Sequence, residues 1–184
     1  MGPFPHDAPP ATIGEANPAG TDGFEFVEFA HPEPQKLAEL FTRMGYVPVA
    51  RHRTRDITVW RQGDINYVVN AEPGSHAMRF VGEHGPCAPS MAWRVADAAH
   101  AFDHAVSKGA TPYEGDDKAL DVPAIVGIGG SLIYFIEKYG KKGSAYDAEF
   151  EWTGERDPRP DGVGFYYLDH LTHNVYRGNM DKWW

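Results

Sequence analysis

One order of local signals appears twice along this chain, and that repetition constrains its fold more than any other feature. Phe24 to Ala30 (FEFVEFA) places apolar side chains on both alternating faces, the pattern of a strand covered on two sides. A helix is expected next, from Pro32 and Pro34 near its first turn, Glu33 at the positive end of its dipole, and Leu37, Leu40, Phe41 and Met44 at i, i+3, i+4, i+7. Gly45 supplies its left-handed cap. Three extended runs follow, Tyr46 to Arg51, Ile57 to Arg61 and Ile65 to Asn70, with Gln62-Gly63-Asp64 turning between the last two.

After a helix expected around His76 to Glu83 and a loop from Gly85 to Pro89, the order returns. Met91 to Val95 reads as a strand, and Asp97 caps a helix with apolar face Ala99, Phe102 and Val106 that closes at Gly109. Extended runs lie near Pro112, from Leu120 to Ile128 and from Leu132 to Ile136, the last two joined through Gly129-Gly130. The fold class is therefore α+β, two βαβββ modules closing into one domain of ordinary size. Hydrophobic residues make up 42% of the 184-residue chain and aromatic residues 13%, enough to fill that core.

The flanks read differently. Residues 1–20 carry five prolines among Ala and Gly and are expected to be a flexible arm, leaving 21–139 as the paired-module domain. From 140 to 163 the composition turns to Lys, Gly, Asp, Glu and Pro, the chemistry of a connector, with Phe150 and Trp152 as anchors onto a domain surface. Residues 164–184 resume ordered character. Phe165 to Val175 reads as a strand, and Tyr176, Met180 and Trp183 are spaced as a helix face, so a third module opens here and is expected to be cut short.

A net charge of -9 offers no basic footprint for nucleic acid or anionic lipid, and no apolar run is long enough to span a bilayer. Cys87 is the single cysteine, so an intramolecular disulfide is impossible. With no basic and apolar leader in Met1 to Pro18, cytoplasmic residence is the default expectation.

Candidate chemistry is sparse. In Asp169-His170-Leu171-Thr172-His173, strand alternation would turn His170 and His173 to opposite faces, so the two do not converge on one metal. His100 and His104 have metal-compatible i, i+4 spacing but no third ligand, and read as a solvated helix face. Gly127-Ile128-Gly129-Gly130 lacks a following Lys and helix, which makes a hairpin turn the better reading than a phosphate loop. Glu28, Tyr134 and Glu137 fall on the expected inner strands, but no histidine stands at Met91, Ala92 or Trp93 to join them in a metal site. Cys87 has no recognisable base beside it.

The runs GFEFVEFA, RQGDINYVVN, PAIVGIGGSLIYFIEKYG and LDHLTHNVYRG, in this order and spacing, resemble the N-terminal part of bacterial 4-hydroxyphenylpyruvate dioxygenases. The resemblance runs from about Gly20 to the end. It implies the vicinal oxygen chelate fold, of the glyoxalase and bleomycin-resistance kind, with two such domains in tandem and Fe(II) held only by the C-terminal one. It further implies that His170 matches the first of three protein iron ligands, while the second histidine and a glutamate lie downstream. The activity implied is conversion of 4-hydroxyphenylpyruvate and dioxygen to homogentisate and carbon dioxide, in tyrosine and phenylalanine catabolism, by a homo-oligomer whose partners are an aromatic 2-oxo acid and O2. A chain holding one ligand of three is expected to be inactive alone. The alternatives are the corresponding part of a 4-hydroxymandelate synthase, which shares fold and ligands, and a stand-alone, non-catalytic chelate-fold domain that binds a small ligand.

Overall fold

The computed structural model describes Pro9 and residues 11–183. Its centre is a nine-stranded mixed sheet, built from β1 (Thr21–Ala30), β2 (Val47–His52), β3 (Ile57–Gln62), β4 (Ile65–Asn70), β5 (Cys87–Val95), β6 (Thr111–Pro112), β7 (Ala124–Val126), β8 (Leu132–Ile136) and β9 (Phe150–Trp152). The strand order β6-β7-β8-β5-β1-β4-β3-β2-β9 shows the duplication directly. Each module's first strand lies parallel to its last, β1 to β4 and β5 to β8, and the modules meet where β1 runs antiparallel to β5. The paired βαβββ architecture expected from the sequence is the architecture found.

Alternation along the strands divides the core into layers. Ile65, Tyr67 and Val69 of β4 join Phe41 of helix α1 (Pro34–Arg43), whereas Val68 faces the other side with Phe26, Val59 and Ala92. In the second module Ile133 and Phe135 of β8 meet helix α3 (Ala98–Ser107), and Leu132, Tyr134 and Ile136 face the opposite layer. Between the modules, helix α2 (His76–His84) starts at Ser75, whose hydroxyl accepts from the Met78 amide at 3.2 Å, and packs Ala77 and Val81 on Ala30.

Several boundaries shift for identifiable reasons. Helix α1 has its Pro at the first turn and Gly45 at φ +85, as read, yet Leu40 stays exposed while Phe41 is buried. In α3 the Asp97 carboxylate accepts from the His100 amide at 2.9 Å, but the buried residues are Ala98 and Ala101, with Ala99 exposed. The face is turned by one residue from the expectation because alanine carries too little surface to mark a face by pattern. Strand β5 starts at Cys87 rather than Met91, since Cys87 pairs with Ala30 and extends the module junction. Of the run Leu120 to Ile128 only Ala124–Val126 is strand; Ala119 and Leu120 instead plug the inner layer.

The stretch from 140 to 163 packs along the domain. Phe150 and Trp152 anchor it, as read, and they do so as the edge strand β9 on β2, with Tyr146 fully buried beneath. Residues 1–8 and 10 of the expected arm lie outside the described residues, and 11–20 hold a Gly14 to Asn17 bridge whose Asn17 side chain accepts from the Thr21 amide at 2.9 Å.

Phe165 to Val175 is not a strand. A strand exists only against a partner, and this segment pairs with none among the described residues. Helix α4 (Met180–Trp183) is a single turn, with Tyr176 outside it and 87% exposed.

Candidate functional site

His170 stands on the surface, its side chain 73% exposed, with Nδ1 2.7 Å from the Asp169 carboxylate. With Nδ1 donating to Asp169, Nε2 carries the lone pair, one of the two tautomers through which a histidine can bind a metal. His173 is also exposed. Among the described residues no group of three or more His, Cys, Asp or Glu side chains comes together as a metal cage.

The other sequence candidates are placed as structural groups. His100 Nε2 lies 2.8 Å from the Pro18 carbonyl and its ring stacks on His104. Glu137 accepts from the Ala98 amide at 3.0 Å and so caps α3. Gly127 to Gly130 forms the turn between β7 and β8, with Gly129 and Gly130 at φ +66 and +85, and no helix follows it. Burial raises the Cys87 thiol above its ordinary range, and the Glu28 charge adds to that, which leaves it a poor nucleophile.

Two groups of buried polar side chains are paired inside the sheet, while Trp93 Nε1 and His76 Nδ1 are buried without a hydrogen-bond partner among the described residues. Glu28 accepts from Ser90 Oγ and from Asn70 Nδ2, the latter at 2.7 Å; burial pushes its carboxyl up, against the pull of those two donors. Tyr134 Oη accepts from the Ala119 amide at 3.1 Å, and burial pushes this phenol far up. A second cluster lies toward β3: Arg94 Nε reaches Glu25 at 2.5 Å, Asn66 bridges Glu25 to Arg61, and Arg61 Nη1 reaches Asp157 at 2.7 Å. A cleft of about 320 Å³ beside the start of α3 is floored by Phe135 and Ile136. Its carboxylates Glu137 and Glu149 are already engaged, the latter by Arg55 and the Asp121 amide.

The chain leading to His170 is the feature that sequence reasoning missed. It starts against one face of the sheet, where Asp157 at φ +53 meets Arg61, passes the β3–β4 turn, where the Gly63 amide donates to the Pro160 carbonyl at 2.7 Å, and reaches the α1 side. Arg159 Nε adds a 2.8 Å ion pair to Asp64. On the α1 side the buried Gln62 side chain donates to the Met44 carbonyl at 2.8 Å and accepts from the amides of Val163 and Phe165 at 2.6 and 3.1 Å. Burial alone would raise the Asp157 carboxyl, but hydrogen bonds from Arg159 and Arg61 outweigh it and hold it below the ordinary range. The only sequence hint was the density of Gly, Pro, Asp and Arg between 154 and 164.

The family model described as hydroxyphenylpyruvate dioxygenase, N-terminal, matches residues 15–151. The chain belongs to the hydroxyphenylpyruvate dioxygenase N-terminal family. "Hemolysin VllY" of Vibrio vulnificus is 48% identical over 93% of this chain and 50% of its own length. A "4-hydroxyphenylpyruvate dioxygenase" of Pseudomonas aeruginosa is 44% identical over 94% of this chain and 50% of its own length. Among solved structures, a xylose isomerase-like TIM barrel/4-hydroxyphenylpyruvate dioxygenase fusion protein superposes with a TM-score of 0.65 at 34% identity, over 78% of this chain and 22% of that one. The chain thus spans about half the length of the curated relatives it matches, and this family membership places it among dioxygenase-related proteins of the chelate fold.

Proposed function

We propose that this chain is the N-terminal half of a 4-hydroxyphenylpyruvate dioxygenase, and that His170 is the first protein ligand to its catalytic Fe(II). The single observation that carries the reading is coverage: the similarity to the Vibrio and Pseudomonas aeruginosa relatives extends over nearly the whole chain yet over half of their length. His170 fits one position of an iron site, since Asp169 occupies Nδ1 and leaves Nε2 for the metal. One imidazole does not make a site, and the remaining histidine and carboxylate are assigned to the downstream half. Iron held by His170 with a downstream histidine and carboxylate would supply the oxidative decarboxylation and ring hydroxylation that turn a 2-oxo acid and dioxygen into homogentisate and carbon dioxide.

The residues of this chain then have defined duties. Asp169 fixes the tautomer of His170, the paired-module sheet gives the iron-binding half a rigid base, and the 157–165 segment joins the two. Assembly as a homo-oligomer, residence in the cytoplasm and a role in tyrosine and phenylalanine catabolism belong to the same reading.

The experiment is to compare the 184-residue chain with the same chain continued by its downstream coding sequence. The longer protein should bind one iron and consume oxygen with 4-hydroxyphenylpyruvate, and His170→Ala should abolish both. The 184-residue chain should do neither. Stoichiometric iron and turnover in the short chain, or unchanged iron in the His170→Ala protein, overturns the proposal.

A further inference from the structure

We infer that Gln62 is a positioning residue for His170: its buried side-chain amide clamps the turn at Val163 to Phe165 and sets the line along which the chain runs toward the iron ligand. The inference rests on the reading of His170 as an iron ligand.

Gln62 has no exposed surface, which is rare for this residue type unless every polar atom is used. Here each is. Nε2 is tied to the C-terminal end of α1 through Met44, and Oε1 accepts from Val163 and Phe165 together. Val163 lies in a turn and Gly164 takes φ +101, so the chain curls here and brings two amides onto one oxygen. One side-chain oxygen therefore pins this turn at two points. It fixes both the position and the direction of the segment, against a helix and a strand of the core.

The approach is also built sterically. Gly162 has φ +58, and a Cβ there would lie 2.3 Å from Gln62 Cδ and Oε1, so no other residue permits the segment to come this close. Gly45, at φ +85, similarly leaves room for the Val163 backbone, whose nitrogen would be 2.8 Å from an added Cβ. From Phe165 to His170 is five residues, at most about 17 Å of chain. Past the anchor, Tyr166, Tyr167 and Leu168 run beside Phe24 and Asp64, and the hydrogen bond described for His170 is to its own neighbour Asp169, so the Gln62 clamp sets where the chain enters that path.

The test has two arms. In the 184-residue chain, amide hydrogen exchange is compared for wild type, Gln62→Met, which keeps side-chain length without the polar atoms, and Gln62→Glu, which keeps the accepting oxygen. Gln62→Met should speed exchange at Val163 and Phe165 by at least about ten-fold while amides of β1, β4 and β5 keep their protection, and Gln62→Glu should recover most of it. In the full-length protein, Gln62→Met should lower iron occupancy and alter the spectroscopic signature of the iron site, with recovery in Gln62→Glu. Should Gln62→Met fail to fold, Gly162→Ala drives a Cβ into the Gln62 amide, displaces the same segment and must give the same pair of effects. Undiminished protection at Val163 and Phe165 overturns the inference, and so does loss of protection with iron occupancy and signature unchanged. If His170→Ala itself leaves the iron in place, the assignment of His170 fails, and that result is separate from the exchange measurement at Gln62.

Discussion

Arg61 and Gln62 are consecutive residues at the end of β3 that turn to opposite faces of the sheet and hold one crossing segment from both sides. Arg61 Nη1 reaches Asp157 at 2.7 Å, and Gln62 Oε1 accepts from the Val163 amide at 2.6 Å. Strand alternation makes this possible, since neighbours in sequence are the two side chains that can grip a segment wrapped around the strand's end. Arg61 is 2% exposed and also bonds Asn66 and the Pro158 carbonyl, so its removal strands several groups at once. Arg61→Met should cost about 3 kcal/mol in urea denaturation, most of it from partners left without a counter-charge. A loss below about 1 kcal/mol would mean that solvent reaches Asp157 and Asn66 freely.

At the turn itself, Gly63 has φ +55, and an added Cβ would lie 3.0 Å from Tyr166 Cα and 3.1 Å from the Phe165 carbonyl. Gly63→Ala should therefore combine left-handed backbone strain with displacement of the 165–166 segment, for a loss of about 1–2 kcal/mol. The readout is limited proteolysis: cleavage between 157 and 168 should appear before cleavage in the sheet. Uniform digestion would place the cost in the hairpin alone.

Much of the fold was legible because its signals are local. The strands of both modules declare themselves by alternation, α1 by its Pro start and Gly45 end, and α3 by Asp97, each a rule about near neighbours. What was not legible depends on distant partners. Phe165 to Val175 has the composition of a strand but pairs with none among the described residues, while Phe150 to Trp152, short and set among linker residues, becomes a strand because β2 offers an open edge. The role proposed for His170 rests on resemblance, since an exposed histidine beside an aspartate carries no metal signal alone. The Arg61 and Gln62 grips were invisible, because nothing in RQGD says that a segment a hundred residues away returns to it.

Phe150 tests whether the stretch after β8 is part of the folding unit. It is 1% exposed, packs edge-on to Tyr146 and His52, and its strand closes the β2 side of the sheet. Phe150→Ala should lower stability by about 3–4 kcal/mol, the range for emptying a buried aromatic site. Calorimetry should show one cooperative transition moved down, not a new early one. A separate early transition would mean that 140–163 unfolds independently.

Two histidines give the domain an acid-sensitive stability. Burial holds His52 below its ordinary pKa, with Arg55 adding to it, and burial does the same to His76. His52 Nδ1 accepts from the amides of Thr54 and Arg55 at 3.2 and 3.1 Å, an arrangement that needs the neutral ring. The unfolded chain therefore binds more protons than the folded one once pH falls below about 6.5, so stability declines from there and levels off beneath the folded values. Glu28, raised by burial, acts with the opposite sign: its contribution is present below pH 4.5 and lost as pH rises through its folded value. Urea midpoints between pH 7.5 and 5 should fall for the wild type, fall less for His52→Asn and His76→Asn, and fall more steeply for Glu28→Gln. Parallel curves for all four would remove these groups as the source.

His170 provides the contrast with every residue above. Its side chain is 73% exposed and its described bond is to the equally exposed Asp169, so nothing in the domain leans on it. In the 184-residue chain His170→Ala should leave the melting temperature and urea midpoint within about 0.5 kcal/mol of wild type. In the full-length protein the same change should remove iron-dependent stabilisation, seen as a melting temperature that no longer rises when Fe(II) is added. A residue that matters only once the rest of its site is present must show this split. If His170→Ala destabilises the short chain by more than about 1 kcal/mol, its role is structural and the imidazole is held by the fold rather than offered to a metal.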